Sequence, residues 1–332
     1  MINPMRLTAL FVATWIVGCS ATVQTDDQDG SRNRKSAAYL APDTGASDRG
    51  HYLATAVALC AFCHSEVDWK AEGFPPKAGT VGGGRSPFGP EMPWLTSPNI
   101  TPDRETGAGT WTDEQFGAAL RRGISHDGRT LFPLMPYNAY HAMSDADATS
   151  IVQFLRSLPP VKNRLPATQI PEELKSTLFP LPPPGAVQAP DRSPTAKYGE
   201  YLARMALCGQ CHTPKDAKGK PVPGMELAGG ARLKGPWGDV ASLNITPDAT
   251  GMEGVTEKLF FSAMKTGHVG GGDRLNAIMP WGYYQHMTDE DLRAIYLYVK
   301  SVKPVPHFVD NSSPPTPCKK CGGTHGLGEK NH

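Results

Sequence analysis

Two pentapeptides, Cys60-Ala61-Phe62-Cys63-His64 and Cys208-Gly209-Gln210-Cys211-His212, stand at matched places in two similar halves of this 332-residue chain. Cysteines three positions apart lie on one face of a helical turn, so both thiols of a motif reach the two vinyl groups of one porphyrin. The adjacent histidine then turns a ring nitrogen onto the iron. The pattern predicts two covalently bound haem c, attached through Cys60, Cys63, Cys208 and Cys211, with His64 and His212 as proximal ligands. A single motif would also suit a redox dithiol that happens to precede a histidine. Its duplication argues against that.

The repeat extends well beyond the motifs. Gly50-His51-Tyr52-Leu53-Ala54 answers Gly199-Glu200-Tyr201-Leu202-Ala203, and Asn99-Ile100-Thr101-Pro102-Asp103 recurs as Asn244-Ile245-Thr246-Pro247-Asp248. Leu134-Met135-Pro136-Tyr137 answers Ile278-Met279-Pro280-Trp281. In each half a helix is expected to run into the cysteine motif. An irregular Gly/Pro-rich segment follows, then a short helix (112–122 or 256–266), a methionine loop and a closing helix (144–158 or 288–302). The closing helices carry start signals, with Ser144 and Thr288 as N-caps and Asp147 and Asp291 three residues on completing a capping-box-like pair. Their apolar residues recur at helical spacing, and no run alternates as a strand does. The fold expected is all-α: two tandem cytochrome c-type domains, 48–160 and 195–305, joined by a Pro-rich linker at 161–194 that is extended and semi-rigid. Residues 306–332 form a tail.

An electron-transfer site needs a second axial ligand, and methionine thioether is the common one. Met92 has no counterpart in the second half, whereas Met135 pairs with Met279 and Met143 with Met287. Met143 and Met287 sit just before the helix N-caps, the place of a hydrophobic staple. Met135 and Met279 precede a proline, which withdraws an N–H and holds the backbone open for the sulfur to lean out. They are the predicted ligands. Arg85 and Arg232 follow glycines at matched places and are candidate partners for haem propionates, as guanidinium binds carboxylate bidentately. Asn99 and Asn244 either bond the same carboxylates or shape a turn. Trp111 offers an indole N–H, with Val255 near its place in the second half.

The N-terminus reads as an export signal. Arg6, the one charged residue in positions 1–18, precedes an apolar run too short to span a bilayer comfortably. The run ends Ile16-Val17-Gly18-Cys19, which resembles a lipobox and makes Cys19 the lipidation candidate; ordinary cleavage near Gly18 is the alternative. Either places the protein outside the cytoplasm, on the periplasmic side, with 19–47 as a polar tether. The formal charge of +1 gives no basic surface for nucleic acid and only modest steering of partners. Of seven cysteines, Cys318 and Cys321 are left over. Gly322 stands where a third motif would need histidine, so the pair reads as a disulfide, a dithiol or a weak metal site.

With both motifs, both Asn-Ile-Thr-Pro-Asp segments and both Met-Pro-aromatic loops, the chain resembles the dihaem class I-type cytochromes c from about Gly50 to Val305. In particular it resembles the cytochrome c subunits of membrane-associated alcohol and gluconate dehydrogenases. The resemblance implies an electron-transfer protein rather than an enzyme, passing electrons from a dehydrogenase donor to a cytochrome or oxidase acceptor. Family members often carry three haem domains, and this chain departs there. The alternative is a dihaem enzyme, peroxidase-like or oxidising sulfur compounds, with one open iron. Methionine in both matched loops argues against it.

Overall fold

The computed structural model describes residues 49–89, 92–216, 219–235, 238–270 and 274–310, with the pairs 316–317 and 324–325. The leader, the lipidation candidate Cys19, the tether and the Cys318/Cys321 pair lie outside the described residues. In the first half, α1 (Arg49–Tyr52) continues as a π-helical turn, Leu53–Val57, followed by α2 (Cys60–Cys63), α3 (Asp113–Arg122), α4 (Tyr137–Tyr140) and α5 (Asp145–Ser157). The second half repeats the order: α6 (Ala196–Met205), α7 (Cys208–His212), α8 (Glu257–Thr266), α9 (Trp281–Tyr284) and α10 (Asp289–Ser301). Among the described residues no helix is long and apolar enough to cross a membrane.

The chain is mostly helical, as expected of a cytochrome c, with one amendment. Two small antiparallel hairpins interrupt the all-α reading: β1 (Arg232–Gly235) with β2 (Gly238–Ala241), and β3 (Thr316–Pro317) with β4 (Thr324–His325). Strands of two to four residues are too short to display an alternating pattern.

A glycine sets the helix crossing in each half. A Cβ on Gly50 would collide with the Ser150 carbonyl of α5, and one on Gly199 with the Ala294 carbonyl of α10. Glycine at these places brings first and last helices into backbone contact, and buries Leu53, Ile151, Leu202, Leu292 and Ile295 completely or nearly so in one continuous core. The closing helices start where the caps place them. The side chains of Ser144 and Thr288 accept from the amides of Asp147 and Asp291.

The reciprocal half of that capping pattern is made across the repeat. The Tyr201 hydroxyl accepts from the Ser144 N–H and donates to Asp147, 2.7 Å away. The Tyr52 hydroxyl does the same for Thr288 and Asp291. Asp147 itself takes two bonds from Arg49, at 2.9 and 3.0 Å. The proline-rich stretch after α5 contains a 3₁₀ turn, Glu172–Thr177. It is strapped to the first half by the backbone bonds Gln169 to Trp94 and Leu181 to Arg122 and by Val187, which bonds Asp145.

Candidate haem-binding site

Each cysteine motif begins a new helix rather than ending the one before it. Leu59 and Leu207 lie in the left-handed region, with φ 55° and 59°. Leucine adopts that conformation at a steric cost, which marks positions where surrounding structure overrides local preference. The break turns the chain, so that the cysteine pair sits on a separate short turn against the core. The expectation of a helix running straight into the motif is corrected at this residue.

The two histidines are held alike. His64 Nδ1 lies 2.9 Å from the Pro98 carbonyl and His212 Nδ1 lies 2.7 Å from the Leu243 carbonyl. A carbonyl only accepts, so Nδ1 carries the proton and the lone pair is left on Nε2. This is the outer-shell arrangement that orients metal-bound histidines. Burial pushes the His64 pKa down to about 4 and lowers that of His212, so both rings stay neutral and able to ligate. The four motif cysteines form no disulfide. Burial raises Cys60 and Cys208 to about 12, the reverse of the depressed pKa a redox dithiol needs.

The methionine loops are built identically. The Tyr137 N–H bonds back to the Met135 carbonyl at 2.8 Å, and the Trp281 N–H to the Met279 carbonyl at 2.6 Å. Pro136 (φ −83°, ψ 47°) and Pro280 (φ −78°, ψ 50°) sit at the centre of these tight turns, near the inverse γ conformation that proline's fixed φ favours. Five residues after each methionine a buried tyrosine fastens the loop to the chain entering the motif. Tyr140 donates to the Ala58 carbonyl at 2.6 Å, and Tyr284 to the Ala206 carbonyl. Met135 and Met279 are half-buried against the core, whereas Met143 and Met287 are fully inside it, the packing place assigned to them. The tyrosine pair recurs at the same offset in both halves, a signal present in the repeat that sequence reasoning passed over.

Each motif packs against the short helix that follows the other half's methionine. Phe62, inside the first, packs edge-on to Tyr283 of α9 at 5.5 Å, and Gln210, inside the second, bonds Asn138 of α4 at 3.5 Å. Burial raises the Cys63 thiol; Arg85 opposes this and the neighbouring Cys211 adds to it. Tyr284 is pushed far up by burial and by Cys208, Cys211 and Cys63 together.

The remaining candidates separate. Arg85 is 5% exposed, and its Nε and Nη1 have no hydrogen-bond partner. A buried guanidinium with no carboxylate beside it carries an uncompensated charge, which fits an anionic group supplied by a cofactor. Arg232 is not its equivalent. Gly84 and Gly229 donate alike to the His64 and His212 carbonyls, so Arg85 corresponds to Gly230, and Arg232 lies exposed at the start of β1. Asn99 and Asn244 are committed to the turn. Their amide nitrogens bond the Val161 and Val305 carbonyls and their oxygens accept from Thr101 and Thr246. The Trp111 ring stacks on His126 at 4.4 Å and packs on Phe116 at 5.2 Å. Among the described residues no cluster of three or more His, Cys, Asp or Glu could hold a metal ion.

No protein-family model matches the chain. It is 30% identical over 322 residues to the fructose dehydrogenase cytochrome subunit of Gluconobacter japonicus, covering 90% of this chain and 60% of that one. It is 33% identical over 277 residues to the cytochrome c subunit of alcohol dehydrogenase (quinone) of Gluconobacter oxydans, covering 78% and 55%. The chain is a homologue of c-type cytochromes. A dihaem cytochrome c-type protein of Cereibacter sphaeroides is 28% identical over 275 residues, 78% of this chain and 86% of its own. In both dehydrogenases the homologue is the cytochrome subunit, not the catalytic one. The chain spans less than two thirds of the length of those two subunits and most of the length of the dihaem cytochrome.

Proposed function

We propose that this protein is an electron carrier with two covalently bound haem c, one in each of two tandem cytochrome c-type domains, 48–160 and 195–305, linked by 161–194. The observation that carries it is the duplicated site: a neutral histidine fixed through Nδ1, a free cysteine pair beside it, and a methionine turn fastened to the same segment. When bound, a haem iron supplies a one-electron couple. The chain's part is to hold it. His64 and His212 would hold the iron through Nε2 and Met135 and Met279 through their thioethers, ligands that would raise its potential. The buried Arg85 would pair with a propionate of the first haem. The packing of each motif against the other half supports transfer between the two sites within one chain.

The relatives support a dehydrogenase as donor, with a cytochrome or oxidase as acceptor. Together with the Gly18-Cys19 signal they support a place on the periplasmic side of a membrane, held by a lipid on Cys19. The deciding experiment is the absorption spectrum of the reduced, mature protein before and after adding carbon monoxide, with haem quantified on the same sample. Two haems per chain and an unchanged spectrum are expected. A haem that takes carbon monoxide readily would shift the reading to the enzyme alternative and remove the methionine assignment in that half.

A further inference from the structure

The two halves differ most sharply one residue beyond the glycine that bonds the motif histidine. In the first half that residue is Arg85. Its guanidinium lies over the faces of Phe88, Trp69 and Phe62, at 4.4, 5.4 and 5.9 Å from the ring centroids, and Phe62 is itself part of the cysteine motif. No carboxylate among the described residues makes an ion pair with it. In the second half Gly230 takes the same place with φ +88°, and a side chain there would run into the His307 ring, which is held at 2.8 Å on the Ala228 carbonyl. Among the described residues Lys215 acts on Cys211 of the second motif, and Lys215 is exposed.

We propose that Arg85 sets the order of the two redox sites, placing the first-half haem at the higher potential. The inference rests on the haem reading above and adds the asymmetry. A fixed positive charge beside a centre that becomes more positive on oxidation disfavours the oxidised form. Arg85 exerts this effect from a buried aromatic surround, where water screens little. Lys215 acts through solvent, which screens it. Pairing with a propionate leaves the sign unchanged, because it removes a negative charge from the first site that the second retains. Glu66 acts on Arg85 from beyond ion-pair distance and does not cancel it.

The test is a redox titration of the full chain followed by absorbance, on the wild type, Arg85→Gln and Arg85→Lys. The wild type is expected to titrate in two one-electron steps. Arg85→Gln should lower the upper step alone, by about tenfold in its equilibrium constant, which is about 59 mV for a one-electron couple. Arg85→Lys keeps the charge, so its upper step should stay within tenfold of the wild type. An Arg85→Gln chain in which both steps fall equally, only the lower one falls, or neither moves overturns the proposal. So does an Arg85→Lys chain whose upper step falls as far as that of Arg85→Gln. Where Arg85→Gln fails to load haem, the Arg85→Lys titration decides alone, and an upper step lowered by tenfold or more overturns the proposal. Two haems per chain with unmoved potentials would leave the carrier reading standing while this proposal fails. Fewer than two haems in the wild type would remove the reading itself.

Discussion

The hydroxyl of Tyr52, near the start of the first half, donates to Asp291 Oδ2 of the second half at 2.5 Å. The same hydroxyl accepts from the Thr288 N–H that opens α10. One phenol thus completes the helix cap and satisfies the carboxylate, and Tyr201 returns the arrangement to α5 with Ser144 and Asp147. Tyr52→Phe should cost about 2 kcal/mol, since it leaves a buried carboxylate and an N-terminal amide without a partner. The loss should register in the opposite half. Hydrogen exchange is expected to accelerate at the first turn of α10 in Tyr52→Phe and of α5 in Tyr201→Phe. Acceleration confined to the mutated half would refute the exchange.

Asp147 and Asp291 occupy equivalent places yet should respond to acid with opposite signs. Burial raises the pKa of Asp147, but the bonds and charge of Arg49 outweigh it and hold the carboxyl below its ordinary value. Burial raises that of Asp291, and the Tyr52 bond does not offset it. A depressed carboxyl stabilises the fold above its unfolded value of about 4 and loses that as pH falls through the folded value. A raised one stabilises below about 4 and loses it as pH rises. Melting curves from pH 3 to 8 should therefore show the cost of Asp147→Asn shrinking toward acid. Asp291→Asn should gain on the wild type as pH rises. Arg49→Met, which leaves the buried Asp147 with the Tyr201 bond and the more distant Arg192, should cost about 2 kcal/mol at neutral pH.

Gly50→Ala and Gly199→Ala each put a methyl into the carbonyl of the crossing helix. Overpacking costs about 1–3 kcal/mol where side chains can yield, and a backbone carbonyl yields less. Each substitution should lower the melting temperature by more than Gly89→Ala, where a Cβ meets nothing within 4 Å. Equal effects at the three sites would mean that the crossing is loose.

Tyr140→Phe and Tyr284→Phe release the methionine loop from Ala58 or Ala206. A local cost of about 1 kcal/mol is expected from the lost bond. The sharper readout is carbon monoxide: the half that loses its tyrosine should bind it measurably while the other stays closed. No binding in either variant would show that the loop holds its place without the anchor.

What could be read from the chain was what local chemistry dictates. The cysteine motifs, the Met-Pro turns and the Ser144 and Thr288 caps each depend on residues within a few positions of one another, and the structure builds the two caps as read. What escaped depends on partners far apart in sequence. Asp147 completes a capping pattern on paper, but Arg49 and Tyr201 claim its carboxylate from 98 and 54 positions away. Arg85 and Arg232 align by eye because both follow glycines. The length change between the halves lies before these glycines, and the backbone bonds that Gly84 and Gly229 make to the histidine carbonyls and that Arg85 and Gly230 make to Ser97 and Ser242 reveal the true match. Leu59 carries no sign of its left-handed turn, because leucine is chosen there by packing and not by backbone preference.

The straps that bind the proline-rich stretch have a bearing on chain continuity. By its bonds to Trp94, Arg122 and Asp145 that stretch belongs to the first half as far as Val187. The few residues from there to α6 are largely exposed, with Arg192 reaching Asp147 at 3.8 Å. Their severance by a protease would leave every exchanged tyrosine in place. The nicked protein should persist as a non-covalent heterodimer, and separately produced fragments should seek each other out. In that sense the molecule is a dimer that happens to be encoded in one piece.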